Sequence, residues 1–255
     1  MRTPGTDELV RVWELGMEQP AWYRGLLMLV PAFPELSIGD LSTVALGTRN
    51  AYLFALRRSL FGSNLAAGIL CERCREPIEF ELCVEDVCDL GDILRTAPAA
   101  AEATDLSFDG VTLSVRAITS RDLSAFHRET PLALAEQALR AQAVTIVTPS
   151  TEIRAIENLS QAQLSLVIET LQEHDPYAET WLQLSCQGCK HEWSSLLDIA
   201  AYLWAEITAV VQRVLDEVAT IAQAFGWSEH EILKMSPSRR EFYLAKSGML
   251  AEELR

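Results

Sequence analysis

Two cysteine pairs stand out in this sequence. The first lies in residues 70–82, which read LCERCREPIEFEL, and the second lies in residues 184–193, which read LSCQGCKHEW. More than one hundred residues separate the pairs, and no catalytic motif lies between them. What the four cysteines bind therefore determines how distant segments of the chain are joined.

The spacing of both pairs suits one shared metal. Two thiolates at Cys-x-x-Cys spacing can point from a tight turn toward a common centre, and two such turns complete the tetrahedral four-cysteine shell that zinc favours. Each pair follows an apolar segment and precedes an aromatic residue, Phe80 in the first case and Trp193 in the second. We predict one structural zinc that ties the strand region to the helical C-terminal region. Its predicted ligands are Cys71, Cys74, Cys186 and Cys189.

Other uses of the cysteines stay open at this point. The pairs can exist without metal, as reduced thiols or local disulfides. A thioredoxin-like role needs the first cysteine at a helix N-terminus, whereas both pairs here are predicted in strand turns. Cys83, on the glutamate-rich face of its strand, and Cys88, in an acidic loop, are predicted to be free thiols. His191 can replace a cysteine as ligand, although an outer-shell or surface position is favoured.

The sequence predicts no enzyme. Four cysteine ligands close the coordination shell of the metal and leave no position for an activated water. The chain contains no HExxH, GxSxG, Walker or Rossmann glycine motif. Of the four histidines, three lie in polar helix or helix-end contexts that favour solvated side chains: His127, His174 and His230.

The charge and composition of the chain restrict the classes of partner that it can bind. The 255 residues are 49% hydrophobic and carry a formal net charge of -15, which disfavours binding to nucleic acid or anionic lipid. An acidic run that contains Glu85, Asp86, Asp89 and Asp92 is predicted to be a solvated loop rather than a calcium site. The basic pairs Arg57-Arg58 and Arg239-Arg240 are predicted on solvated helix faces. No signal peptide and no membrane span are predicted, so we expect a cytoplasmic protein.

The hydrophobic pattern predicts an α+β fold, mostly helical, with a small β region and a zinc-ribbon-like knuckle that joins distant segments. Five regions follow from it: helical residues 1–66, a first knuckle and β region at 67–130, a helical middle region at 131–180, a second knuckle at 181–198, and a long helix with short helices at 199–255. Within them, Thr48 is predicted to cap a helix that ends at Gly62. Asp109-Gly110 is predicted as the turn of a hairpin.

The C-terminal region is predicted to begin with a long helix over Ile199–Phe225 that buries one stripe. The stripe consists of Leu203, Ile207, Val210, Val214, Val218, Ile221 and Phe225. Two capped helices then present five large groups in a short segment: Trp227, Ile232, Leu233, Phe242 and Tyr243. These groups predict either a docking surface for a partner or a segment that folds back onto the long helix.

The order of these features along the chain is similar to that in a known protein family. Four stretches carry the resemblance: ALGTRNAYLFALRRSLFGSNL, CERCREPIEFEL, DPYAETWLQLSCQGCKHEWSSLLDIAAYLWAEI and GWSEHEILKMSPSRREFYLA. Together they resemble zinc-knuckle proteins encoded with contractile phage tails and phage-tail-like injection systems, which are described as baseplate or baseplate-hub assembly proteins. The second cysteine pair with DIAAYLWAEI and GWSEHEIL is the most specific part of the resemblance.

The resemblance implies a nonenzymatic role in building or forming a tail baseplate, with other baseplate or tail proteins as partners. It also implies that the four cysteines match the metal positions of the family. Two other classes stay open: a zinc-ribbon regulator that binds nucleic acid, and a Cys-x-x-Cys thiol oxidoreductase. The acidic charge weighs against the first class, and the placement of the pairs in strand turns weighs against the second.

Overall fold

The computed structural model describes residues 1–91, 93–108, 111–126, 139, 143–148 and 159–253. Its elements are mixed helix and sheet, so the predicted α+β class is confirmed. Among the helices in these ranges, none is long and apolar enough to cross a membrane.

The N-terminal quarter is helical, as predicted. It contains α1 (Thr6–Gly16), α2 (Ala21–Leu29), a 3₁₀ turn (Val30–Ala32), α3 (Ile38–Ser42) and α4 (Leu46–Phe61). Pro20 precedes α2 as its N-cap, and the Ser37 hydroxyl caps α3 by accepting from the Asp40 N–H. Gly62 ends α4 with a positive φ of 86°, as the sequence predicts.

A first hairpin follows α4. Strands β1 (Asn64–Leu70) and β2 (Pro77–Cys83) pair in antiparallel fashion, and the short helix α5 (Val84–Val87) comes next. The glutamates of β2 are exposed while Ile78, Phe80 and Leu82 are half-buried, which is the alternation of a strand with one covered face. The alternation ends with the strand at Cys83, because Val84 already belongs to α5 and is buried in the core.

A second small core forms between residues 103 and 174. After a 3₁₀ turn at Ile93–Arg95, the chain forms β3 (Ala103–Phe108), β4 (Val111–Arg116), α6 (Ser120–Leu123), β5 (Val144–Thr148) and α7 (Gln161–His174). Side chains of the three strands and of α7 form this core. The strands form one antiparallel sheet in the order β3-β4-β5, which confirms the predicted hairpin; Asp109-Gly110 lies outside the described residues. Strand β5 lies where a helical region is predicted, because its β-branched run Val144–Thr148 pairs with β4.

The C-terminal part begins with a second hairpin. Strands β6 (Trp181–Ser185) and β7 (Glu192–Leu196) are antiparallel, and they lead into α8 (Ile199–Phe225), α9 (Glu229–Leu233) and α10 (Pro237–Glu253). The long helix is confirmed, although Val211 rather than Val210 lies fully in its buried stripe.

Helix α8 is the centre of the larger core. It contacts α1, α2, α4, α9 and α10. Gly16, at the end of α1, lies so close to the indole of Trp204 that a Cβ there would clash with the ring. The largest fully buried side chains include Phe33, Tyr52 and Phe54. The hydrophobic stripe of α8 thus organises the N-terminal helices around it.

The aromatic groups after α8 fold back onto it. Ile232 is fully buried, Trp227 stacks on Phe225 with ring centroids 4.9 Å apart, and Tyr243 packs edge-on against Trp227 at 4.7 Å. Of the five groups, Phe242 alone is largely exposed, at 56%. The structure therefore favours the fold-back interpretation of this segment over the docking interpretation.

Three polar groups lie elsewhere than the sequence predicts. Arg57 is buried and donates from Nε and Nη2 to the two carboxylate oxygens of Glu206, at 3.0 and 2.8 Å, and Arg240 is buried and donates to Glu217 at 2.9 Å. The prediction of solvated basic pairs is therefore wrong for one arginine of each pair. Thr48 does not cap α4, since that helix begins at Leu46.

Helix α4 is capped from a distance. The buried Asp175 carboxylate accepts hydrogen bonds from the N–H groups of Gly47 (2.9 Å) and Thr48 (3.2 Å). These N–H groups belong to the first turn, where no intrahelical acceptor exists. Burial raises the pKa of Asp175. Asp175, which lies between α7 and β6, thus connects this part of the chain to the start of α4.

Candidate metal centre

The two hairpins carry the same turn, although their sequences differ. In the first, the Cys71 N–H donates to the Glu76 carbonyl at 2.9 Å, and the Arg75 N–H donates to the Cys71 carbonyl at 2.9 Å. In the second, Cys186 donates to His191 and Lys190 donates to Cys186, both at 2.9 Å. We refer to residues 64–83 as the first cysteine hairpin and to residues 181–196 as the second cysteine hairpin.

Each turn needs one residue in the left-handed backbone region. Arg75 has a φ of 63° and Lys190 has a φ of 57°, and within the described ranges they are the two non-glycine residues with positive φ. Both directly follow the second cysteine of their pair. This conformation lets the chain reverse within the six residues between strand ends, so that both thiols of a pair lie on the same side.

The turns bring all four predicted sulfurs together. The Sγ atoms of Cys71 and Cys189 are 3.7 Å apart, those of Cys74 and Cys186 are 3.6 Å apart, and all four lie within 4.8 Å of one another. A tetrahedral metal with thiolate bonds of about 2.3 Å requires sulfur–sulfur edges of about 3.8 Å. The cysteine cluster therefore has the dimensions of a four-thiolate metal shell and can hold a metal ion.

The cysteine sulfurs are not joined in disulfides. A disulfide bond is about 2.05 Å long, and all six cysteines of the chain are free in the structure. The four sulfurs thus approach one another across the hairpins without bonding.

The electrostatics of the cysteine cluster favour a bound cation. The backbone N–H of Cys74, with that of Arg73, lowers the pKa of the Cys71 thiol to about 6. At Cys74 the Glu76 N–H acts in the same direction, but the sulfur of Cys189, burial and the other two sulfurs outweigh it and raise the pKa to about 12. One thiolate thus forms readily, whereas ionising a further thiol among crowded sulfurs is unfavourable. A divalent cation removes that cost.

Apolar side chains cover one side of the cysteine cluster. Cys71 and Cys186 are buried, and Trp193 of β7 packs with them, together with Ile69, Ile78 and Leu184. The Trp193 indole is 9% exposed, and its Nε1 is buried without a hydrogen-bond partner. On the other side Cys74 is exposed. The thiols of Cys71, Cys186 and Cys189 are therefore better shielded from water than the thiol of Cys74.

Two residues next to the cluster have different roles. His191 stacks on Trp193, with centroids 5.6 Å apart, and is not among the metal-ligating groups that cluster here; its backbone carbonyl closes the turn. Glu76 places Oε2 3.6 Å from the Cys186 Sγ, where it accepts from the thiol. Sequence reasoning missed Glu76, because its contact with the second hairpin spans 110 positions.

The other titratable residues singled out in the sequence do not join the cluster. The Cys83 thiol donates to Glu85, which raises its pKa. Cys88 is buried in the larger core instead of lying in an exposed loop, and burial raises its pKa to about 12. His174 and His230 are exposed at helix positions; His127 and Asp92 lie outside the described residues. Both surplus thiols are thus poor nucleophiles.

Among the described residues, the four cysteines form the one group with the spacing of a metal site. Comparison of the chain with protein-family models, curated proteins and solved structures finds no match. The chemistry of the cysteine cluster must therefore be argued from its own geometry.

Proposed function

We propose that this chain is a nonenzymatic structural or assembly protein, stabilised by one structural zinc, that acts in the baseplate of a contractile tail or injection system. The observation that carries the zinc proposal is the convergence of four thiols, from two hairpins far apart in sequence, to within 4.8 Å of one another. The baseplate setting rests on the resemblance of the sequence segments around these cysteines.

Zinc suits the donor set best. A tetrahedral shell of four thiolates selects zinc or iron among common biological metals. Zinc has no redox chemistry and is the usual occupant of four-cysteine structural sites. Elemental analysis of protein purified without added metal is expected to find about one zinc per chain. About one iron per chain would replace the zinc proposal with an electron-transfer centre.

A structural role follows from the ligand number. Four protein ligands leave no open coordination position, so a bound metal cannot present a water or a substrate. What the metal supplies is a cross-link between Cys71 and Cys189, which are 118 positions apart. Closing a loop of that length removes about 4–5 kcal/mol of conformational entropy from the unfolded chain.

The cross-link joins segments that depend on each other for packing. The first cysteine hairpin leads into the larger core through Leu65 and Val84, and the second leads directly into α8. A protein that must keep its shape inside a multi-subunit assembly benefits from such a joint. The partners in this proposal are other baseplate or tail proteins, without nucleic acid or membrane.

The baseplate proposal is tested in cells that produce a tail particle together with this chain. Deletion of the chain is expected to abolish complete particles while separate sheath and tube components remain, and re-expression is expected to restore them. The Cys83→Ser variant should restore assembly, and a Cys71→Ser/Cys74→Ser variant should not. Normal particle yield after deletion would contradict the proposal.

Copurification distinguishes a component of the finished baseplate from an assembly chaperone. Presence of the chain in finished particles indicates a baseplate component, whereas presence only with soluble precursors indicates an assembly chaperone.

Nucleic-acid binding is tested separately. A polarisation titration with duplex DNA and with RNA is expected to show no binding tighter than the nonspecific range of about 10⁻⁴ to 10⁻⁶ M. Submicromolar, sequence-dependent binding would favour the zinc-ribbon regulator instead.

A further inference from the structure

Two cations occupy strained backbone positions next to the cysteine cluster. Arg75 and Lys190 follow the second cysteine of each turn, with φ values of 63° and 57°. Glycine adopts this conformation without steric cost, whereas a residue with a Cβ does not. Both turns nevertheless carry a long cationic side chain at this position, although the two hairpins share little other sequence.

The turn itself does not require these side chains. The backbone N–H of each residue makes the closing hydrogen bond at 2.9 Å, and glycine would supply the same N–H. Both residues are exposed. In the part of the chain that the structure describes, neither side chain makes a hydrogen bond or an ion pair. Packing and hydrogen bonding therefore do not explain why the position is cationic in both turns.

The charge of a metal–thiolate centre does explain it. Four thiolates around a divalent ion carry a net charge of about -2. The other charged residues of the two turns are Glu72, Arg73 and Glu76, with a net charge of -1, in a chain whose net charge is -15. Arg75 and Lys190 add two positive charges, each directly after the second cysteine of its turn.

We infer that Arg75 and Lys190 compensate the negative charge of the metal–thiolate centre and raise its affinity for metal. This inference rests on the proposed zinc centre. Both residues are exposed and directly follow a cysteine of the cluster, and one unit charge in such a position is expected to change the affinity about three- to tenfold. Salt screens the effect, because the Debye length shrinks from about 10 Å at 0.1 M to about 3 Å at 1 M ionic strength.

The experiment measures Zn²⁺ affinity by competition with a chromophoric chelator, at low and at high salt. The test variant is Arg75→Asn/Lys190→Asn, since asparagine tolerates the left-handed region but carries no charge. The swap Arg75→Lys/Lys190→Arg keeps both charges. Arg213→Gln is the matched control, because it removes an exposed cation on α8 whose side chain is 72% exposed.

The double Asn variant is expected to lose about ten- to a hundredfold in Zn²⁺ affinity at low salt, and most of this loss should disappear at about 1 M salt. The swap and the Arg213→Gln control should stay within about threefold of the original protein. Thermal stability of the metal-free Asn variant should not fall, since strain is relieved.

Two results would overturn the inference. One is a double Asn variant that binds Zn²⁺ as tightly as the original protein at low salt. The other is a loss that salt does not reduce, or that the swap shares, because that pattern indicates a packing role. Failure of the original protein to bind any Zn²⁺ would overturn the proposed zinc centre itself, and with it this inference.

Discussion

The first and second cysteine hairpins share a turn but differ in what surrounds it. At the position after each turn, the first hairpin has the half-buried Ile78 and the second has the buried Trp193. Cys74 is exposed, whereas its counterpart Cys189 is half-buried. The comparison teaches that the local sequence specifies the turn twice, while the large buried aromatic side chain that packs on the cysteine cluster, Trp193, belongs to the second hairpin.

The hairpins also differ in how they reach helix α8. The second leads directly into it, and Asp198 caps the helix by accepting from the Ala201 N–H at 3.0 Å. The first is held laterally, since the Tyr202 hydroxyl donates to the Ala66 carbonyl at 2.8 Å. One end of α8 therefore positions both hairpins, so that their four cysteine sulfurs lie close together.

Removing the first cysteine pair should have the largest effect on metal content and stability. The Cys71→Ser/Cys74→Ser variant is expected to lose its metal and about 4–5 kcal/mol or more of stability, because the cross-link is gone. Metal analysis and thermal unfolding measure both effects. Cys83→Ser is the control and should change neither. A variant that keeps one equivalent of metal with unchanged unfolding would show that the first hairpin does not take part.

Truncating the shielding residues should reveal the asymmetry between the hairpins. Trp193→Ala is expected to cost about 3–5 kcal/mol, because it removes a large buried side chain. Ile78→Ala, at the equivalent but half-buried position, is expected to cost about 1–2 kcal/mol. Urea unfolding of both variants in the metal-loaded form measures the difference. Equal costs would contradict the claim that Trp193 contributes more to the packing of the cysteine cluster than Ile78 does.

Loss of the Asp175 cap on α4 should have an intermediate effect on stability. Asp175→Ala leaves the Gly47 and Thr48 N–H groups without their acceptor and is expected to cost about 1–3 kcal/mol. Asp175→Asn keeps one acceptor oxygen and should cost less. Denaturant unfolding separates the two variants. An alanine variant as stable as the original protein would mean that the remote cap contributes nothing.

The smallest predicted effect concerns the lateral tie of the first hairpin. Tyr202→Phe removes one hydrogen bond and is expected to cost about 1 kcal/mol. Hydrogen exchange should speed up in Asn64–Leu70 and Pro77–Cys83 while Trp181–Ser185 and Glu192–Leu196 stay unchanged. Equal acceleration in both hairpins would show that the hydroxyl stabilises α8 in general and not the first hairpin.

Features with a local signal could be predicted from the sequence. Both cysteine turns, the strands that flank them and helix α8 follow from spacing and periodicity within short windows. The capping boxes at Thr119 with Asp122 and at Ser228 with Glu231 are likewise local, since each is a pattern of two residues three positions apart, and both are present in the structure.

Features that depend on distant partners could not be predicted. Thr48 has the chemistry of a helix cap, but Asp175 takes that role from 127 positions away. Arg57 looks solvated in its own helix and is buried because Glu206 reaches it from 149 positions away. The burial of Cys88 likewise depends on how the first hairpin packs against the helical core. No short window of the sequence contains these pairs.

The central claim is that one metal is bound jointly by four cysteines from both hairpins. X-ray absorption at the zinc edge, on protein purified without added metal, tests this claim most directly. The account predicts one zinc per chain with four sulfur neighbours at about 2.3 Å and no nitrogen or oxygen neighbour. A shell of two sulfurs completed by nitrogen or oxygen, or protein without bound metal, would contradict it.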